Sequence, residues 1–425
     1  MISMLGQVMT GVADSIMIGW TGAVPLAASS LANSFFSVLL FFGIGVSYAM
    51  TPLVAEAAGA GNNNRIVDAL RHGLIINLVT GVILTAIIIG GQSVLNHIGQ
   101  SQEVVDLAIP YMLVIAYSFV PTMIFQTFRQ FAEGLHRTRM AMVVMIVSNL
   151  INIVLNYLLI YGVWIFPEMG LLGAGWATFI SRVVMAVWMG LYVYYGSRFA
   201  AFRSGIRLGH YSRELINRML HIGIPAGAQF IFEAAAFGFS AIMMGWLGAN
   251  TLAAHQIAIN LATVSYMTTS GLGAAATIRV GTFLGQRDGV AVRRSGFTLI
   301  GLGVAIMLLW AIAFIWGQCF LPGLYLDDPN VLAIAAPLMV IAGFFQLSDG
   351  MQVVCAGALR GLQDVKIPSL LIFVAYWILA LPAGYVLAFP LEYGALGIWF
   401  GLLLGLTLTA AAMVVRFNRL SHRPL

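Results

Sequence analysis

The stretch Ile16-Met-Ile-Gly-Trp-Thr-Gly-Ala23 returns 226 residues later as Ile242-Met-Met-Gly-Trp-Leu-Gly-Ala249. At that offset Ile16–Gly59 aligns with Ile242–Gly285 without a gap, and 16 of 44 positions are identical. Farther on, Pro110, Met112, Gly134 and Leu135 match Pro337, Met339, Gly361 and Leu362 at an offset of 227. The chain is therefore built from two related halves, and the content of one half decides the fold.

Each half holds six apolar runs of about 20 residues, the length that crosses a bilayer as a helix. They centre on 1–20, 28–57, 69–92, 105–128, 140–164 and 171–196, then on 216–246, 252–284, 293–317, 331–357, 367–389 and 393–417. Composition agrees, because 60% of the 425 residues are hydrophobic and 8% are charged, against about 25% charged in soluble domains. So few charges cannot cover a water-facing surface. Cys319 and Cys355 are too few for a disulfide framework and read as small packing residues near opposite membrane faces.

The basic residues fix the orientation. Arg65 and Arg71 fall between spans two and three, Arg129, Arg137 and Arg139 between four and five, and Arg198, Arg203, Arg207, Arg213 and Arg218 between six and seven. The same side receives Arg279, Arg287, Arg293 and Arg294, then Arg360 and Lys366, then Arg416, Arg419 and Arg423. The opposite loops carry Glu103, Asp106, Glu168, Asp327, Asp328 and Glu392 and no basic residue, and Arg182 alone is expected inside a span. Basic residues gather on the cytoplasmic side, so both termini are expected there. The net charge of +5 is then a topology signal rather than a nucleic-acid footprint.

Since the offset spans six crossings, both halves start on the same side, as in a parallel repeat about an axis along the membrane normal. The expected fold is an all-α polytopic membrane protein of twelve transmembrane helices in two six-helix lobes, residues 1–196 and 218–425, joined by a cytoplasmic linker at 197–217. The repeat sets Met1 opposite Gly227, whereas span seven begins about ten residues earlier in the matching lead-in. The expectation is a truncated first helix or a late-assigned start, and a longer chain is expected to be more stable.

Asp14, Glu233 and Asp349 each lie inside an apolar run with no basic residue within ten positions. An ionised carboxylate in hydrocarbon costs at least about 2.5–3.5 kcal/mol, so such residues usually mark an ion or proton route. Asp14 sits roughly 9 Å along the helix from Trp20, a residue suited to the interface, while Glu233 lies roughly 20 Å from Trp246 and Asp349 roughly 18 Å past Pro337. Glu233 and Asp349 can therefore meet near the midplane of the second lobe, where they would share a proton or bind a cation such as sodium. Their repeat partners differ, since Glu233 corresponds to Gln7 and Asp14 to Ser240. Asn149, Asn152 and Asn156 share span five, with Asn152 and Asn156 one turn apart on a common face. They offer oxygen ligands beside Asp14 or interhelical hydrogen bonds. His255 reads as structural and the methionines mainly as packing.

The segment Gly6-Gln-Val-Met-Thr-Gly-Val-Ala-Asp14-Ser-Ile-Met-Ile-Gly19, the pair Phe232-Glu233 and Asp349-Gly-Met-Gln-Val-Val-Cys-Ala-Gly-Ala-Leu-Arg360-Gly361 resemble the multidrug and toxic compound extrusion (MATE) family, in its bacterial NorM-type branch. The resemblance covers essentially the whole chain. It implies a secondary active transporter of the bacterial inner membrane, not an enzyme, that exports organic cations, drugs or other amphipathic compounds by sodium or proton antiport. It implies a second-lobe coupling site at Glu233 and Asp349, which would also hold sodium, and a first-lobe site at Asp14, Asn152 and Asn156 with Thr178. No cofactor beyond the coupling ion, no nucleic acid and a monomer in contact with membrane lipid are expected, and no substrate-binding residue is assigned. Phe345, four residues before Asp349, stands where some relatives carry tyrosine, which leaves sodium and proton coupling both open.

Two other carriers fit parts of the pattern. A flippase of lipid-linked oligosaccharide, from the same superfamily, would need basic residues lining its cavity. A major-facilitator carrier also has two parallel halves, but its Gly-x-x-x-Asp-Arg-x-Gly-Arg-Arg loop is absent from Gly59-Ala-Gly-Asn-Asn-Asn-Arg-Ile-Val-Asp68. No nucleophile or metal spacing gathers near one face as in a membrane enzyme.

Overall fold

The computed structural model describes residues 11, 13–97, 100–206 and 211–422, and no strand occurs among them. The helices are α1 (within residues 13–19), α2 (Ala23–Gly59), α3 (Asn63–Gly91), α4 (Gln102–Gly134), α5 (Arg139–Tyr161) and α6 (Gly170–Tyr195). After them come α7 (Arg213–Trp246), α8 (Ala249–Gly285), α9 (Gly289–Trp316), α10 (Pro329–Gly361), α11 (Lys366–Ala388) and α12 (Gly394–Ser421). Among the described residues ten helices are long and apolar enough to cross a membrane. Adding the 37-residue α8, which carries several Asn, Gln, Thr and Ser side chains, and α1 gives the twelve-helix arrangement.

Three helices are broken, and the sequence says where. Alpha2 divides at Tyr48–Ala49 and α4 at Ser118. Pro52 and Pro121 follow these points and cannot supply an N–H to the carbonyl four residues back. Next to each break a serine hydroxyl bonds back to its own helix, Ser47 Oγ to the Ile44 carbonyl at 2.6 Å and Ser118 Oγ to the Ile115 carbonyl, which competes with the ladder. The repeat positions in the second half are Ile278 and Ser348, and α8 and α10 run on unbroken. Alpha11 contains a π-helical segment, Val374–Ala380, just before Pro382.

The chain divides into two compact units, one ending at Gly227 and the other beginning at Ala228. The division falls inside α7, because the early turns of that helix pack in the first unit: a Cβ on Gly223 would meet the Val46 carbonyl oxygen at 2.7 Å. The 197–206 segment is also held there, with Phe199 buried against Phe131 and Arg71 donating to the Ser204 carbonyl at 3.2 Å. In the second unit α10 is the central helix, packed by α8, α9 and α12 around Trp399, Phe314 and Phe417.

The repeat is visible in the packing of each unit. A Cβ on Gly134 would stand 2.8 Å from Val54 Cβ, and one on Gly361 would stand 2.8 Å from Val280 Cβ. Thr51 Oγ1 lies 3.5 Å from the Gln130 carbonyl, and Thr277 Oγ1 donates to the Gly357 carbonyl at 2.8 Å. Asn62 caps α3 by accepting from Arg65 N, and Asp288 caps α9 by accepting from Ala291 N. Left-handed turns recur at Gly61 (φ 65°) and Arg287 (φ 57°), and at His136 (φ 61°) and Gln363 (φ 62°).

Two expectations need correction. Arg129, expected between spans four and five, lies within α4, buried, with Nε donating to Glu133 at 2.7 Å. Arg182 is not alone inside the long helices, which also contain Arg71, Arg218, Arg279 and Arg293. Cys355 is buried as a packing residue, but Cys319 is exposed in the turn that follows α9.

Candidate functional site

Alpha1, α5 and α6 bring the first-unit residues together. Asn152 and Asn156 are buried on one face of α5. Asn156 Nδ2 donates to Asp14 Oδ1 at 2.5 Å and stands 3.4 Å from Asn152 Oδ1, while Asn152 Nδ2 stands 3.5 Å from Thr178 Oγ1 on α6. The last two contacts are long for hydrogen bonds, so the firm link is Asp14 to Asn156. Asn156 Oδ1 is buried without a partner among the described residues, which leaves an oxygen available to a cation or donor. Gln7 lies outside the described residues, as does the start of the Gly6–Gly19 motif.

One turn beyond Thr178, Arg182 enters the same cluster. Its Nη1 donates to Ser118 Oγ at 2.6 Å, and its Cζ stands 4.7 Å over the Phe36 ring. The guanidinium is within electrostatic range of Asp14 and of Tyr111, whose hydroxyl faces Asn33 Nδ2 at 3.4 Å.

In the second unit Glu233 on α7 and buried Asp349 on α10 lie within electrostatic range of each other. Glu233 Oε1 accepts from Gln352 Nε2 at 2.9 Å, with Gln229 Nε2 farther off at 3.4 Å. The sequence reading assigned neither glutamine to the site, although Gln352 stands in the motif that begins at Asp349. The available signal was helical spacing, since Gln229 precedes Glu233 by four residues and Gln352 follows Asp349 by three. Arg360 contributes positive potential at Glu233, and Tyr376, from the π-helical segment, is buried within range of both acids. Phe345 packs against Phe237 and Trp399, so that turn of α10 contributes no hydroxyl to the acids.

No group of three His, Cys, Asp or Glu residues that could hold a metal ion occurs among the described residues. Each cluster instead mixes carboxylate with amide and hydroxyl oxygens, the donors that suit hard cations. His255 is structural, its Nδ1 accepting from Trp399 Nε1 at 3.2 Å. A cavity of about 470 Å³ in the first unit, lined by Phe35, Val38, Ile87 and Met112, contains no charged group.

A profile of the MatE family matches residues 1–158 and 225–386. The chain belongs to the MATE family. Among relatives of this MATE protein, the "Probable multidrug resistance protein NorM" of Rhizobium meliloti (strain 1021) is 35% identical over 425 residues, covering 99% of this chain and 91% of that protein. The "Multidrug resistance protein NorM" of Photobacterium profundum is 33% identical over 424 residues, covering 98% and 92%. The fold is that of the "Crystal structure of MATE in the bent conformation", with a TM-score of 0.92 at 20% identity over 99% of this chain and 92% of that one. As a MATE member with many apolar helices, the chain is a multi-pass membrane protein.

Proposed function

We propose that this MATE protein is a multidrug efflux carrier of the bacterial inner membrane, acting as a monomer with both termini cytoplasmic. It exports organic cations and amphipathic compounds in exchange for sodium or protons. The observation that carries this reading is the charge balance around Glu233 and Asp349. Two carboxylates within range of each other, with one guanidinium, Arg360, in range of Glu233, leave one negative charge when both acids are ionised. A single sodium ion or proton restores neutrality, and a group that binds differently in two conformations can drive the change between them. Gln352 supports cation binding, because its Nε2 holds Glu233 while its Oε1 is buried without a partner among the described residues. Asp14, Asn152, Asn156 and Thr178 serve as the first-unit site.

The test is drug-dependent sodium and proton flux in proteoliposomes. Glu233→Gln and Asp349→Asn are each expected to abolish cation-driven export while leaving a folded protein. Export that continues undiminished in both variants overturns the coupling role.

A further inference from the structure

In the second unit an arginine joins the start of α9 to the end of α12. Arg293, in the second turn of α9, donates through Nη1 to Asn418 Oδ1 at 2.6 Å and stands 3.4 Å from Ser421 Oγ. Its Cζ lies 4.9 Å over the Phe297 ring, which packs on Phe417, so the plane of the guanidinium is fixed. A guanidinium has five N–H donors, and those of Nε and Nη2 make no hydrogen bond among the described residues. Arg294 and Arg419 follow the two ends of this bond in sequence. Both are exposed, and neither has an ion pair or hydrogen bond among the described residues. Arg416 differs, because Asp364 accepts from it and balances its charge. The group Arg293, Arg294 and Arg419 is therefore positive even when Asp288, the cap of α9, is counted against it. Apolar faces lead up to it. On α9, Val290, Leu302 and Leu309 share the exposed face of Arg294, at steps of four, seven and eight residues. On α12, Leu404, Leu408 and Val415 share that of Arg419 in the same way. The repeat positions of Arg293 and Arg294 in the first half are Val67 and Asp68, so the shared fold does not require these charges.

We propose that the joined ends of α9 and α12 form a binding site for an anionic phospholipid, with its phosphate on Arg293 and its acyl chains on the apolar faces beyond. The phosphate oxygens accept from the unspent N–H groups of Arg293, whose planar fork suits them, while Arg294 and Arg419 add positive charge at the rim. Basic pockets between membrane helices at their cytoplasmic ends are where such headgroups bind. A soluble phosphate would answer the arginines and leave the exposed leucines and valines unused. A lipid answers both. The site goes beyond the export reading and takes from it only the orientation, in which these ends face the cytoplasm.

The test is native mass spectrometry of the purified full chain in neutral detergent micelles, titrated with phosphatidylglycerol or with phosphatidylcholine. The wild type is expected to bind phosphatidylglycerol about tenfold more tightly. Arg294→Gln combined with Arg419→Gln removes two charges that hold no bond in the fold, and should lower that preference about tenfold. Arg293→Gln should do the same, and if it does not fold the double variant decides. Arg65→Gln combined with Arg137→Gln removes two exposed charges from the first unit and should leave the preference unchanged. A wild type without a preference, a loss below about threefold in the Arg294 and Arg419 variant, or a loss no greater than in the Arg65 and Arg137 variant overturns the site. The last of these results would mean a general attraction to a positive face. Inorganic phosphate at the same concentration should not displace the lipid, and displacement overturns the assignment to a lipid. Micelles have no sides and the assay involves no flux, so its outcome is independent of the orientation and of the export reading.

Discussion

Gly357→Ala is expected to be strongly destabilising, and the size of the effect follows from one helix crossing. On α10, Gly357 lies against Gly273 of α8, and an added Cβ would stand 2.1 Å from the Gly273 carbonyl oxygen and 2.8 Å from its Cα. Ordinary contact begins near 3.4 Å, and every atom in the way is backbone, so the two helices must part by about an ångström. Overpacking of this kind costs about 1–3 kcal/mol. The same crossing holds the bond from Thr277 Oγ1 to the Gly357 carbonyl, whose loss adds about 0.5–1.5 kcal/mol. The expected loss is therefore about 1.5–4.5 kcal/mol. Gly301→Ala on α9 is the reference, because a Cβ there meets nothing within 4 Å and alanine is the better helix former by about 0.5–1 kcal/mol. Equilibrium unfolding of both variants in detergent micelles, followed by circular dichroism, should move them in opposite directions from the wild type. Gly357→Ala unfolding at or above the level of Gly301→Ala would refute the reasoning. Gly357 is eight residues from Asp349, about 12 Å along the helix, so the displacement should also reduce cation-driven export.

A membrane-impermeant maleimide applied to intact cells is expected to modify exposed Cys319 and to spare buried Cys355, whereas a cysteine placed at Ser204 should react only after permeabilisation; the reverse pattern overturns the orientation. Arg129→Met is expected to cost up to about 3–5 kcal/mol, because it leaves the partly buried charge of Glu133 without its partner. Adding Glu133→Leu should recover most of that loss, and a double variant as unstable as the single one would show that the pair is held for some other reason.

The helices were legible because bilayer length and basic-residue asymmetry act on whole segments, and the repeat fixed their pairing. The breaks at Tyr48 and Ser118 were not read, although Pro52 and Pro121 with the neighbouring serines carried the signal. Proline alone is not decisive, since Pro110, Pro225 and Pro337 lie inside helices without interrupting them. Asn152 and Asn156 could be placed on one face from spacing alone. Hydropathy ends a span at the first charge, whereas the helix runs past Arg129 to Gly134, with Glu133 four residues on as its partner. Gln229 and Gln352 were given no role for a different reason: an amide has no cost in hydrocarbon as conspicuous as that of a carboxylate, and its role is set by which acid it touches.

The matched left-handed turns bear on how the two halves diverged. Arg287 holds the conformation that Gly61 holds in the first half, at a steric cost of about 1–2 kcal/mol for a residue with a side chain. The backbone path is thus shared by both halves although the residue best suited to it stands in one of them. In the same register Thr122 stands where the second half has Asp349, and Ser240 where the first has Asp14. After a duplication, one copy can surrender an ionisable group while its twin retains one elsewhere, and neither loses the scaffold that positions it. Each half therefore preserves the blank against which the chemistry of the other can be read.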